Sequence, residues 1–206
     1  MTRHSQTIWN EEKRLQGRQD SPLTQKGVEN ALALKKHIIN MSFDYIYASS
    51  ILRAYKTASL LFDEHDIIKD ERLLEMNFGV FEGLKISDIQ SQSNLYYQLW
   101  NQPEQFDRIP NGESYDEVIK RAKSFLEDLK KLKESSQVFI VTHGMFFIVL
   151  LATMLEMDKK DFVKLNQEVA QGCSLTLINY ENDKFSIEFY NKHDFLPNVS
   201  NTLYAK

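Results

Sequence analysis

Apolar positions fall into a few periodic runs, and each run predicts an element. Residues 24–39 repeat at helical spacing: Val28, Ala31, Leu32, Ile38 and Ile39 fall on one face, with Thr24 where an N-cap belongs. Tyr45–Ala48 predicts a short strand, and residues 52–62 a helix with Ser50 as its cap. Ser114 and Glu117 form a capping-box pair. The helix behind them places Tyr115, Val118, Ala122, Phe125, Leu126 and Leu129 on one stripe. Val138–Thr142 is a continuous, largely β-branched apolar run, the pattern of a strand buried on both faces in a parallel sheet. A helix follows over 145–155. Two later strands, 175–180 and 185–190, are joined by Glu181-Asn182-Asp183-Lys184 and predict a hairpin.

Strands alternating with helices predict an α/β fold, a three-layer α/β/α sandwich on a mainly parallel central sheet. Residues 76–113 break the rhythm. They are irregular, partly helical, and hold Phe78, Phe81, Tyr96, Tyr97, Trp100 and Phe106. They predict a helical insertion that has a small core of its own, or caps a site, or does both. With 7 Gly and 4 Pro, no stretch reads as a linker, so residues 1–206 are expected to form one domain.

Composition narrows the function. A formal net charge of −4 lacks the basic surplus of a nucleic-acid binder, yet a local basic pocket can still take an anion. Cys173 is the single cysteine, which excludes an internal disulfide and fits a small buried apolar residue. Residues 1–10 are polar, unlike a signal peptide, and the apolar run 145–155 is too short to span a bilayer. A cytoplasmic protein with no membrane partner is expected.

The candidate chemistry lies at strand ends. Arg53 follows the strand that ends at Ala48, and His143 follows the one that ends at Thr142. Ligands of open α/β sheets bind beyond the carboxyl ends of the strands, so both residues belong at one rim. Arg3-His4 joins them if a strand precedes it. Two arginines and two histidines make an anion pocket: the guanidinium fork suits phosphate, and neighbouring positive charge keeps an imidazole neutral and nucleophilic. Glu75 is the candidate general acid for a leaving alkoxide. Taken singly, each residue reads more simply as a surface arginine or a turn histidine. For His37, His65 and His193 that simpler reading is kept, and no pair of histidines has metal-ligand spacing.

In order, the motifs change these odds. Arg3-His4-Ser5-Gln6-Thr7-Ile8-Trp9-Asn10 is followed by Arg14-Leu15-Gln16-Gly17 and Asp20-Ser21-Pro22-Leu23-Thr24-Gln25-Lys26-Gly27. Then come Ser49-Ser50-Ile51-Leu52-Arg53-Ala54 with Thr57-Ala58, and Leu74-Glu75 with Phe78-Gly79 and Glu82-Gly83. Pro110-Asn111-Gly112-Glu113-Ser114, Val141-Thr142-His143-Gly144 and Asn191-Lys192-His193 complete the series. Together they resemble the histidine phosphatase (phosphoglycerate-mutase-like) superfamily from residue 3 to about 195. The resemblance implies that His4 is the phosphorylated nucleophile. It implies that Arg3, Arg53 and His143 with Gly144 hold the phosphoryl group, that Glu75 donates a proton, and that Asn10, Gln16 and Gly17 line the substrate side. It implies no metal and no organic cofactor.

Two departures stand out. Ser5 replaces the family's usual glycine, so a side chain is expected beside the phosphate, crowding it or donating to it. Only Met1 and Thr2 precede Arg3, where the family has a buried strand. Either residues 1–3 pair in the middle of the parallel sheet as a shortened strand, or the gene starts upstream.

Three functions follow. The first is a phosphatase for small phosphate monoesters, most similar to bacterial broad-specificity members. The second is a phosphoglycerate mutase, which must hold a second anion; between Met76 and Glu113 the basic residues are Lys85 and Arg108 alone. That favours a substrate with a neutral or apolar tail, with α-ribazole phosphate and sugar phosphates open. The third is a catalytically weak phosphoester-binding protein. The expected partner is a small phosphorylated substrate, and a homodimer is compatible with the sequence.

Overall fold

The computed structural model describes residues 1–199. Chain order is β1 (Thr2–Arg3), α1 (Ile8–Glu11), α2 (Gln25–His37), β2 (Tyr45–Ala48), α3 (Leu52–Leu61), β3 (Ile67–Lys69), α4 (Ile86–Gln92), α5 (Leu95–Asn101) and α6 (Tyr115–Leu129). Then follow β4 (Val138–Thr142), α7 (Gly144–Met154), α8 (Phe162–Asn166), β5 (Leu175–Glu181) and β6 (Lys184–Lys192).

Four strands form one parallel sheet in the order β1-β4-β2-β3. Strand β4 shows why its sequence is apolar throughout. Phe139 and Val141 face a core built with Ala31, Leu34 and Ile38 of the α2 segment and Ala54 and Ala58 of α3. Ile140 faces the opposite core, shared with Phe125 and Leu126 of α6 and nearly all of α7. Helices therefore cover both faces, and the sandwich has three layers.

The shortened first strand is real. Thr2 pairs with Val141 and Arg3 with Thr142. Its other side is also taken: Arg3 bridges Gly172, the Cys173 N–H donates to the Arg3 carbonyl at 3.0 Å, and the Thr176 N–H donates to the Met1 carbonyl at 3.0 Å. β1 thus runs between β4 and the segment that enters β5.

Several local expectations are corrected. Helix α2 buries Gly27, Asn30, Ala31 and Leu34, and leaves Leu32 43% exposed, with Ile39 beyond its end at 72%. The reason is a close approach at Gly27, where an added Cβ would lie 2.2 Å from the Gln6 carbonyl oxygen; this turns the Gly27 face inward. Ser50 does not cap α3. Its hydroxyl donates to Glu71 at 2.5 Å, and Ile51 occupies the cap position without a side-chain bond. The insertion has no separate core: Phe78, Phe81, Tyr96, Trp100 and Phe106 join the same cluster as α6 and α7, while Tyr97 is exposed.

Thr24 and Ser114 cap α2 and α6 as the sequence predicts, the latter in a complete capping box with Glu117. β5 and β6 form an antiparallel hairpin outside the main sheet, turning at Asn182 and Asp183 with φ of 51° and 62°. Two consecutive left-handed residues give the tight turn that matches strand twist. Cys173 is buried, and burial pushes its thiol up to about 12, which leaves it unreactive. No helix among the described residues is long and apolar enough to cross a membrane.

Candidate active site

The carboxyl ends of β1, β2 and β4 deliver the charged residues to one place. Arg3 and His4 close β1, Arg53 sits in the first turn of α3 after β2, and His143 caps the start of α7 after β4. All four are buried. The His4 and His143 rings lie 5.3 Å apart, centroid to centroid.

The hydrogen bonds of His4 fix its tautomer. Its Nδ1 is 2.7 Å from the Ser5 carbonyl oxygen, which can only accept, so Nδ1 carries the proton. Arg53 Nε–H donates to His4 Nε2 at 3.2 Å, so Nε2 presents a lone pair. Burial, then the charges of Arg53 and Arg3, hold the His4 pKa well below that of an ordinary histidine, against the opposing pull of the Ser5 carbonyl. His143 is likewise held low, chiefly by burial and then by Arg53. Its Nε2 lies 2.7 Å from the Ser49 hydroxyl, and its Nδ1 is buried without a hydrogen bond.

Arg53 organises the loop opposite. It donates to the carbonyls of Gln19 at 2.6 Å and Gly17 at 2.8 Å, and pairs with Asp20 at 3.1 Å. Glu75 also lines the cavity and is held against the start of α7. Its Oε1 accepts from the N–H groups of Met76 and Phe146, both at 2.9 Å, and its Oε2 from Met145 at 3.2 Å. Oε1 has both lone pairs engaged, whereas Oε2 keeps one for a proton.

The cavity encloses about 370 Å³, counting space open to solvent, and is lined by Arg3, His4, Asn10, Arg53, Glu75 and Gly144 on its polar side. Gln16, Gly17, Leu15, Phe78, Trp100 and Met145 complete the lining, with Arg14. Every site residue expected from the sequence lines it except His143, whose ring lies 5.3 Å from that of His4.

One expectation fails here. Ser5 neither crowds the cavity nor donates into it: its hydroxyl turns away and donates to the Gly27 carbonyl at 2.7 Å. Asn10 spends its Oδ1 on the Thr7 N–H and hydroxyl, both at 3.0 Å, as the other half of a capping box on α1. Sequence reasoning passed over Arg14, which lines the cavity, and Ser49, which orients His143. Arg14 sits next to the Gln16-Gly17 motif, and that adjacency was the available signal.

Comparison with known proteins places the chain in a family and a fold. The family model of the histidine phosphatase superfamily (branch 1) matches residues 1–193, and the chain belongs to that family. It is 32% identical over 183 residues to a probable phosphoglycerate mutase GpmB of Enterobacter sp., covering 88% of this chain and 84% of the relative. The solved structure of Bacillus stearothermophilus YhfR is 30% identical, superposes with a TM-score of 0.86, and the match covers 95% of this chain and 96% of that one. The α-ribazole phosphatase of Shigella flexneri shares the fold, with a TM-score of 0.81 at 24% identity over 93% of this chain and 95% of that one.

Proposed function

We propose that the protein is a phosphatase that hydrolyses small phosphate monoesters through a phosphohistidine on His4. The observation that carries this reading is the His4 ring itself, with its Nδ1 proton committed to Ser5 and its Nε2 accepting from Arg53 Nε–H beside a cavity lined by Arg3 and Arg53. As the phosphoryl group binds, Arg53 Nε–H turns from Nε2 to a phosphoryl oxygen and the lone pair is released. Nε2 attacks phosphorus, an N–P bond forms and the ester P–O bond breaks. The departing oxygen takes a proton from Glu75 and leaves as the alcohol. Arg3, Arg53 and the Nδ1 of His143 bind the phosphoryl oxygens, where charge-assisted bonds are strongest. Glu75, now a carboxylate, takes a proton from water; the water oxygen attacks phosphorus, the N–P bond breaks and its electron pair returns to Nε2. Inorganic phosphate leaves and both residues regain their starting states.

The rest of the cavity favours hydrolysis of an ester with a neutral or apolar tail. Its far wall is Leu15, Phe78, Trp100 and Met145. Lys85 and Arg108 lie outside it, and Arg108 pairs with Glu117 at 3.6 Å. A mutase reading rests on the similarity to GpmB proteins and on Arg14, the one cation on the substrate side. Arg14 is committed elsewhere, to Glu12 at 2.6 Å and to the Gly83 carbonyl at 2.9 Å.

The test is turnover of a panel of phosphate esters beside coupled 3-phosphoglycerate turnover. Release of inorganic phosphate, lost in His4→Ala together with the acid-labile phosphoenzyme, is expected. Glu75→Gln is expected to slow alkyl phosphates by roughly 10²–10⁴-fold and p-nitrophenyl phosphate far less, because p-nitrophenol leaves as an anion. Isomerisation of 3-phosphoglycerate without net hydrolysis would assign the mutase instead.

A further inference from the structure

The inference drawn here rests on the role proposed for Glu75 and concerns two residues outside the cavity. Arg121 and Glu113 form a bidentate ion pair, Nε to Oε1 at 3.1 Å and Nη2 to Oε2 at 3.2 Å. Neither lines the cavity. Both grip the backbone that carries Glu75. Arg121 Nη1 donates to the Leu74 carbonyl, immediately before Glu75, at 2.6 Å, and to the Arg72 carbonyl at 2.8 Å. Glu113 Oε2 accepts from the Asn77 N–H, two residues after Glu75, at 2.8 Å, and the Glu113 N–H returns a bond to the Asn77 carbonyl at 2.8 Å.

The same guanidinium covers a third side. It lies 4.4 Å from the ring centroid of Phe146, whose N–H is one of the two donors on Glu75 Oε1. Arg18 meets Glu113 Oε1 at 3.2 Å and so joins the loop that carries Gln16 and Gly17 to this pair. An arginine suits this task because its planar fork binds a carboxylate with two donors and still reaches a carbonyl with a third; a lysine presents a single point charge.

We propose that Arg121 and Glu113 are a positioning pair that sets the reach of Glu75 Oε2 to the leaving oxygen and links it to the substrate loop. They act through Glu75, so their effect follows the leaving group. An alkyl ester needs a proton within hydrogen-bond reach, and a 1 Å misplacement can cost about 10²-fold, whereas p-nitrophenolate needs no proton.

The experiment measures kcat/KM for an alkyl phosphate and for p-nitrophenyl phosphate on the same preparations of Glu113→Gln, Arg121→Lys, Glu75→Gln and Glu75→Gln/Glu113→Gln. The readout is the ratio of the two rates, because a misfolded fraction lowers both equally and leaves the ratio alone. The ratio is expected to fall by roughly 10-fold in Glu113→Gln and Arg121→Lys, and no further in the double variant than in Glu75→Gln. A wild-type ratio in both single variants, with the ratio lowered in Glu75→Gln, overturns the positioning role alone. An unchanged ratio in Glu75→Gln overturns the reading of Glu75 itself. A double variant that falls well below Glu75→Gln shows that the pair acts independently of Glu75 and also overturns the proposal.

Discussion

Arg53 Nε donates to His4 Nε2 at 3.2 Å, while the rest of the same guanidinium holds the carbonyls of Gly17 and Gln19 and the carboxylate of Asp20. One arginine thus orients the candidate nucleophile and shapes the loop of residues 17–20. An incoming phosphoryl group would meet both partners of this hydrogen bond at once.

The first prediction concerns the state of His4. With Nδ1–H on the Ser5 carbonyl and Nε2 accepting from Arg53, the ring is a neutral Nδ1–H tautomer, and burial resists its protonation. Nitrogen-15 NMR of the free protein at pH 6 is expected to show that tautomer. An imidazolium signal for His4 at that pH would contradict the geometry.

The second follows from linkage. The folded-state pKa values of His4 and His143 lie well below the 6.5 of an ordinary histidine. The unfolded chain therefore binds more protons below pH 6.5, so stability is fully present above that pH and falls as the pH drops toward the folded-state values. The urea midpoint should be lower at pH 5.5 than at 7.5. His4→Asn removes one of the two groups, so its midpoint should drop less over the same interval; an equal drop would refute the assignment.

The third concerns Arg53→Lys. A lysine cannot keep the bond to His4 together with those to Gly17, Gln19 and Asp20. Loss of a preorganised donor on a developing charge costs about 10²–10³-fold in rate. We expect a loss in that range for alkyl and p-nitrophenyl esters alike, since phosphoryl charge is common to both. A loss confined to the alkyl ester would place Arg53 with the leaving group.

How much of this was legible in the sequence depends on what fixes each feature. The apolar run of β4, the Ser114–Glu117 box and the ordered motifs are local, and they placed His143, α6 and the candidate site at its rim. Orientation was not legible. The face of α2 turns on the contact of Gly27 with the Gln6 carbonyl, and the second flank of β1 comes from residues 172–176, both distant in sequence. The direction of the Ser5 side chain depends on the same packing of α2, so no motif could report it.

Ser5 gives the fourth prediction. Its buried hydroxyl donates to the Gly27 carbonyl and points away from the cavity, while its N–H donates to the Thr57 hydroxyl at 3.0 Å. Ser5→Ala removes one buried hydrogen bond from a carbonyl that α2 also engages, and should cost about 0.5–1.5 kcal/mol of stability. Because the hydroxyl is turned to Gly27 and the backbone that holds His4 is unchanged, kcat/KM should stay close to that of wild type. A large rate loss with normal stability would mean that the hydroxyl reaches the phosphate after all.

The last prediction separates the two carboxylates of the mouth. Glu82 is the next carboxylate along the chain after Glu75, but its oxygens are spent on backbone. Oε1 accepts from the N–H groups of Arg18 and Phe78, both at 2.9 Å, and Oε2 from Gln19 at 3.2 Å. It laces the substrate loop to the start of the insertion and does not line the cavity. Gly17 makes room for it: an added Cβ there would lie 2.0 Å from Glu82 Oε1, at a φ of +57° that also favours glycine. Glu82→Gln replaces an accepting oxygen with an NH₂ that faces backbone N–H donors. It should destabilise the protein by about 1–3 kcal/mol and loosen the loop that bears Gln16 and Gly17. Rates for alkyl and p-nitrophenyl phosphates should therefore fall by the same factor, with the loss appearing in KM. If the alkyl ester alone slowed, Glu82 would take the proton-donor role from Glu75, and the three N–H groups that hold Glu75 would be structural.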